Sequence, residues 1–229
     1  MIDNLSPCKS PSEMQGALIK SYFADKMKID PNDIVVVSIM TCVGKKFEGE
    51  REELSNDGMN DVDYVLTTRE LAQMIKEVAI DFINLNDEEF DDPLGASTGS
   101  GVIFGATGGV AEAALRTIFE IVGQKEIEQI EYTVVRGLDG IKEASVELPD
   151  GRIIKTAVVH GLGNARKVLE LIKKGEKHYD FIEVMSCPGG CVTGGGQPIV
   201  DSKIREKIDI KKERAKAIYD EDKYYKRWS

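Results

Sequence analysis

Apolar positions along this chain switch between a helical and an extended spacing. Between residues 12 and 26, Met14, Ala17, Leu18, Tyr22 and Phe23 fall three and four apart, which predicts a helix with these five on its buried face. Ser10 before Pro11 supplies an N-cap and a first-turn proline. From Asp33 to Met40 the pattern becomes a β-branched, nearly unbroken apolar run, which predicts a strand buried on both faces. Asp63 to Thr67 reads as a second strand, and Thr67 or Thr68 caps a helix through Glu70, Leu71, Met74, Ile75 and Val78. Residues 81–95 are acidic and loop-like. The glycine-rich stretch Gly95 to Gly109 opens a helix over Val110 to Val122, where free N–H groups can hold an anion. Strands follow around Tyr132 to Val135, over Ile141 to Leu148 and over Arg152 to Val159, the last two joined by the turn Pro149-Asp-Gly151. A helix over Asn164 to Lys174, a short strand Phe181 to Met185 and a charged helix Arg205 to Tyr219 complete the pattern.

Strands alternating with helices predict an α/β fold with mainly parallel sheets flanked by helices. Two lobes are expected, one over about residues 1–100 around the Ile34 strand and one over about 101–229 around Arg152 to Met185. A length of 229 residues, 41% hydrophobic and 31% charged, fits a globular protein with a core. No apolar run is long enough to cross a membrane, and the first residues lack the features of a signal peptide, so the expected setting is cytoplasmic. A net charge of −10 disfavours nucleic acid as a partner.

Cysteine placement changes the picture. Met185-Ser-Cys-Pro-Gly-Gly-Cys191 puts Cys187 and Cys191 at the end of a strand, on backbone with little side-chain bulk; Cys42 ends the Ile34 strand in the same way. In parallel α/β folds the functional loops gather at the carboxyl ends of strands. Soft thiolates select iron–sulfur clusters, zinc or copper(I), while the bland alternative is a set of buried structural thiols. Cys8 precedes a helix and reads as structural. Lys45 either meets an anionic ligand or is a solvated surface lysine. Met185 and Phe104 read as core residues with an option on the site, Ser6 as a turn residue, and His160 and His178 as non-ligands. Gly105-Ala-Thr-Gly-Gly109 fits neither the phosphate-binding loop nor the dinucleotide fingerprint.

The motifs together resemble one family. Met40-Thr-Cys-Val-Gly-Lys-Lys46 is similar to the second signature of the iron–iron hydrogenases, and Met185 to Cys191, continuing through Gly194-Gly-Gly-Gln-Pro198, to the third. Asp63 to Leu71, Ile103 to Gly109 and Val135 to Leu138 also resemble family segments. The resemblance implies the two-lobed hydrogen-cluster domain, in which a 4Fe-4S cubane is joined through a cysteine to a two-iron subcluster carrying carbonyl, cyanide and dithiolate ligands. Carried over by position, Cys42, Cys187 and Cys191 are the metal ligands, with Cys191 bridging. Lys45 contacts a cyanide, Met185 and Phe104 line the two-iron site, and Ser6 belongs to a proton path; Lys45, Met185 and Ser6 are thus the candidate catalytic residues. The implied reaction is reversible reduction of protons to hydrogen. Electrons would come from ferredoxin or an electron-transfer domain or subunit, and the cofactor from maturation proteins. Thr41 and Ser186 stand where the family usually has proline and alanine. The first family signature, with its paired cysteines, and the segment beyond Ser229 do not occur in these residues, so the expectation is a hydrogenase domain truncated at both ends. The alternative within the same superfamily is a non-catalytic iron–sulfur assembly or scaffold protein.

Overall fold

The computed structural model describes residues 2–56, 58–95, 97–123 and 140–225. The chain divides into two compact units, Met1–Gly95 with Gly195–Pro198, and Ala96–Gly194 with Ile199–Ser229.

In unit 1 the expected first helix is present as α1 (Pro11–Leu18), a π-helical turn Ile19–Phe23, and α2 (Ala24–Met27), which ends at Lys28 in the left-handed region, φ 59°. Ser10 accepts the Glu13 N–H as the N-cap. The buried face is not the predicted one. Glu13, Gly16, Lys20 and Ala24 point inward, while Met14, Leu18 and Tyr22 lie in solvent. The cause is long-range. A side chain at Gly16 would collide with the Asp61 carbonyl, so glycine lets the helix lie against that loop. Lys20 then donates to the Asn60 carbonyl and the Asp63 carboxylate, each at 2.7 Å.

The expected strand 33–40 shortens to β1 (Val37–Met40), and a 3-10 turn Pro31–Asp33 takes up its start. After it, α3 (Gly44–Gly49) forms where the sequence pattern announced no helix. β1 pairs in parallel with β2 (Tyr64–Thr67), Val37 opposite Tyr64 and Met40 opposite Thr67. Burial on both faces is not what forms: Val35, Val37, Ile39 and Tyr64 are 48–64% exposed. The other face is the covered one, where the Ser12 and Ser38 hydroxyls bond at 2.9 Å. Thr67 is the cap of α4 (Thr68–Glu77), in a complete capping box with Glu70.

Unit 2 is layered. α5 (Gly99–Val102) and a 3-10 turn Ile103–Gly105 lead into α6 (Gly109–Gly123). β3 (Ile141–Glu147) and β4 (Ile153–His160) form the expected hairpin, with Gly151 at φ 85° in its turn. α7 (Leu162–Lys173) crosses over to β5 (Phe181–Met185), which is parallel to β4. β4 is the central strand and is buried on both faces. Val158 and Ala144 pack with Ala111 and Leu115 of α6 on one side; Ala157 and Val159 pack with Ala165 and Val168 of α7 on the other. α8 (Ser202–Arg205) precedes α9 (Ile210–Tyr224). The last helix starts later than the predicted Arg205 because Asp209 caps it, accepting from the Lys211 and Lys212 N–H groups. The strand expected at Tyr132 to Val135, and the Val135 to Leu138 segment, lie outside the described residues.

Candidate metal centre

In unit 2 the cysteine stretch leaves β5 and folds into a tight turn. The Gly190 N–H donates to the Cys187 carbonyl at 3.0 Å, and Cys191 opens a 3-10 turn over Cys191–Thr193. Gly189 and Gly190 hold φ of 93° and 95°, which side chains resist. A Cβ on Gly190 would also stand 2.6 Å from the Thr107 nitrogen, so the glycine loop rests directly on the cysteine turn. The Thr107 N–H donates to the Gly189 carbonyl at 3.2 Å. Phe104 is half-buried just upstream in that loop. Met185, also half-buried, sits two residues before Cys187, and its carbonyl accepts the Gly161 N–H at 2.8 Å.

The N-terminus of α6 already has its anion. Glu183, buried in β5, accepts the Gly108 N–H at 2.7 Å and the Ala111 N–H at 2.8 Å. Burial pushes its carboxyl pKa up, and the backbone donors pull it back. The anion site expected at these glycines is therefore filled from within the chain. The signal was a lone carboxylate in the middle of the apolar stretch Phe181-Ile-Glu-Val-Met185.

In unit 1, Cys42 lies two residues past the end of β1 and is half-buried. A Cβ on Gly44 would lie 3.5 Å from its sulfur. Gly195–Pro198, which follow the second cysteine turn in sequence, belong to this unit. The Gly196 N–H donates to the Thr41 carbonyl at 2.8 Å, and Arg69 donates to the Gly195 carbonyl at 2.7 Å. Lys45 is not a free surface lysine: it is ion-paired with Glu48 one turn along α3. Lys46 pairs with Glu70 at 2.7 Å. Glu13 lies close by, 2% exposed. Burial, then the charges of Glu48 and Asp61, raise its carboxyl pKa against the opposing pull of Lys45 and Lys9. Periodicity missed Glu13, because a carboxylate three residues after a serine reads only as a capping partner. Ser6 is exposed and accepts the N–H of the exposed Cys8, as a turn residue does.

Cys42, Cys187 and Cys191 are half-buried, and none of them is in a disulfide among the described residues. A soft donor set on glycine backbone suits an iron–sulfur group and not a hard cation. Among the described residues no three His, Cys, Asp or Glu side chains gather round a single metal ion. A cluster asks for something else, since each thiolate binds a different iron.

Comparison with known proteins bears on the same residues. Residues 1–195 match the family of the iron only hydrogenase large subunit, C-terminal domain. Iron hydrogenase 1 of Clostridium pasteurianum is 47% identical over 224 residues, 98% of this chain and 39% of that protein. The periplasmic Fe hydrogenase large subunit of Nitratidesulfovibrio vulgaris is 52% identical over 200 residues, 87% of this chain and 47% of its own. A solved FeFe-hydrogenase from Chlamydomonas reinhardtii superposes with a TM-score of 0.78 at 38% identity, over 97% of this chain and 62% of its own. A probable cytosolic Fe-S cluster assembly factor of Dictyostelium discoideum is 32% identical over 254 residues, 96% of this chain. The chain thus spans about half the length, or less, of the Clostridium and Nitratidesulfovibrio proteins. Among the described residues no helix is long and apolar enough to cross a membrane.

Proposed function

The chain belongs to the family of iron-only hydrogenase large subunits, C-terminal domain, and from that premise we propose that it is the part of a hydrogen-cluster domain that holds the iron–sulfur group and its two-iron partner. The observation that carries this reading is the placement of three half-buried cysteines on glycine-rich backbone, Cys42 just past β1, Cys187 just past β5 and Cys191 at the start of the 3-10 turn that follows. These are the proposed ligands of a 4Fe-4S cubane and, through Cys191, of a two-iron subcluster with carbonyl, cyanide and dithiolate ligands. When bound, that group supplies the redox chemistry of reversible proton reduction to hydrogen. The protein's own part is to hold, orient and enclose. Gly189 and Gly190 keep side chains away from the cysteine turn, the backbone of Gly105, Ala106 and Thr107 rests against it, and Phe104, next in the chain, is the proposed neighbour of the two-iron group. Met185 adds a polarizable apolar side chain at the strand end. Lys45 offers an ammonium to an anionic ligand, and its pairing with Glu48 fixes the rotamer from which it does so. Ser6, exposed at the start of unit 1, is the proposed proton relay on this side of the chain.

Electrons are proposed to come from a ferredoxin-type protein, domain or subunit, and the two-iron group from maturation proteins. The same reading sets the chain in the cytoplasm, although one relative is periplasmic. The experiment is infrared spectroscopy of the anaerobically matured chain, with hydrogen evolution from reduced methyl viologen measured alongside. Carbonyl and cyanide bands that disappear in Cys187→Ala and Cys191→Ala are the expected result. A chain that takes up iron and sulfide but never shows those bands belongs with the assembly factors, the reading that the Dictyostelium match favours.

A further inference from the structure

In the glycine loop beside the cysteine turn, Thr107 has a buried hydroxyl that bonds to nothing among the described residues. The residue is 3% exposed. Every neighbouring backbone donor is answered. Thr107 N–H reaches the Gly189 carbonyl; Gly108 and Ala111 N–H reach Glu183; Gly109 N–H reaches the Ala106 carbonyl; Glu112 N–H reaches the Gly108 carbonyl. The omission is specific to the one hydroxyl. A buried polar group left without a partner destabilises the fold, and a valine of the same shape would avoid that cost. The place explains the residue type. Thr107 abuts Gly190, whose missing Cβ would stand 2.6 Å from the Thr107 nitrogen, and Gly190 lies between Cys187 and Cys191. Thr156 also has an unanswered buried hydroxyl, but it pairs with Phe181, the end of β5 away from the cysteines.

We propose that Thr107 is a positioning residue whose hydroxyl donates a hydrogen bond to a sulfur of the iron–sulfur group held at Cys187 and Cys191. This rests on the cluster reading above. Thiolate and sulfide sulfurs of a cluster are anionic acceptors, and a neutral hydroxyl supplies a donor without adding charge. Such a bond stabilises the reduced, more negative cluster more than the oxidised one, so it raises the reduction potential.

The test compares the unsubstituted chain with Thr107→Val, Thr107→Ala and Thr107→Ser. Each is prepared without iron, and again after anaerobic reconstitution with ferrous iron, sulfide and a small thiol. Thermal melting reports on the iron-free proteins, and a potentiometric titration followed by electron paramagnetic resonance reports on the cluster. Without iron, Thr107→Val melts at or above the unsubstituted chain, because the orphaned hydroxyl is gone. With the cluster, the midpoint potential moves negative in Thr107→Val and in Thr107→Ala, and Thr107→Ser returns it towards the starting value. The alanine variant serves if the valine variant does not fold. An unchanged or more positive potential in both overturns the proposal and leaves the cluster reading standing. An iron-free Thr107→Val that melts well below the unsubstituted chain also overturns it, since the hydroxyl would then have a protein partner. No cluster signal in the unsubstituted chain overturns the cluster reading, and this proposal falls with it.

Discussion

Units 1 and 2 draw on similar sequence patterns and bury them differently. In unit 2, Val158 faces one helix while Ala157 and Val159 face another, so the central strand is dry on both sides. In unit 1, of the described apolar residues only Ala24 and Val62 are fully buried. Its interior is polar: Glu13, Lys20, Asp61 and Thr67 are buried there. Lys20 and Lys9 meet Asp63 and Asp61 at 2.7 and 2.6 Å. Meanwhile Val35, Val37, Ile39 and Tyr64 form an open apolar sheet face, and Met14, Leu18 and Tyr22 an open helix face. Apolar spacing names the face that can be buried; it does not supply the element that covers it. Parallel sheets are ordinarily covered on both sides, so unit 1 holds its shape through paired charges and close backbone approach where unit 2 uses packing.

The largest expected effect lies in unit 2 and is itself polar. Arg116 of α6 makes two 2.8 Å bonds to Asp222 of α9 and pairs with Glu112. Burial pulls its guanidinium pKa down, but the bonds to Asp222 and the charges of Glu112 and Asp222 outweigh that and hold it above the ordinary value. Arg116→Met would take a buried, doubly bonded cation away from Asp222 and Glu112 and is expected to cost about 3–5 kcal/mol in chemical denaturation. A loss near zero would mean that unit 2 stands on its apolar clusters alone.

Next comes a matched pair. Leu115 is 2% exposed between α6 and the sheet; Leu18 is 48% exposed on α1. Leu115→Ala is expected to cost about 2–5 kcal/mol through lost burial and the cavity left behind. Leu18→Ala should stay within about 0.5 kcal/mol of the starting stability. Comparable losses would show that the open face of α1 is covered in solution. Native-state hydrogen exchange sharpens the same contrast: amides of β4 and β5 should exchange far more slowly than those of β1 and β2.

A smaller effect tests the helix start at the cysteine turn. Glu183→Gln keeps one acceptor oxygen but turns an amide N–H₂ towards one of two backbone donors, Gly108 or Ala111. A loss of about 1–3 kcal/mol is expected in denaturant titrations. Burial raises the carboxyl pKa of Glu183 in the folded chain, so the wild type gains stability from this group as pH falls and the loss in the variant should widen in the same direction.

What the sequence made legible follows from distance along the chain. The hairpin turn at Gly151, the cap at Thr67 and the helix before Lys174 depend on neighbours a few residues away, and they form. The strand ends carrying Cys42 and Cys187 were legible for the same reason, because glycine and proline stop a strand locally. The inward face of α1 was not, since it is chosen by Asn60, Asp61 and Asp63, some forty residues on. Glu183 was legible only as an anomaly; its two N–H donors come from residues more than seventy positions earlier. The pairing of Lys45 with Glu48 needed the unannounced helix α3.

The smallest effect concerns the cap of α4 in unit 1. Thr67 accepts the Glu70 N–H, and Glu70 accepts the Thr67 N–H at 2.8 Å and the Lys46 ammonium at 2.7 Å. Lys46 first, then the Thr67 backbone and hydroxyl, lower the Glu70 pKa from 4.5 to about 2. A carboxylate with a lowered folded-state pKa contributes its stability above the unfolded value. That contribution is complete above pH 4.5 and drains away as pH falls towards 2. Thr67→Ala is expected to cost about 1 kcal/mol at neutral pH, the usual loss of a cap. It should also soften the acid limb between those two pH values, because Glu70 loses one of its three donors outright. The remaining Lys46 pair is exposed, so added salt should weaken it further in the variant. An acid limb unchanged by Thr67→Ala would mean that Lys46 alone sets the Glu70 titration, and that unit 1 draws its stability from charge pairs even at its best-capped helix.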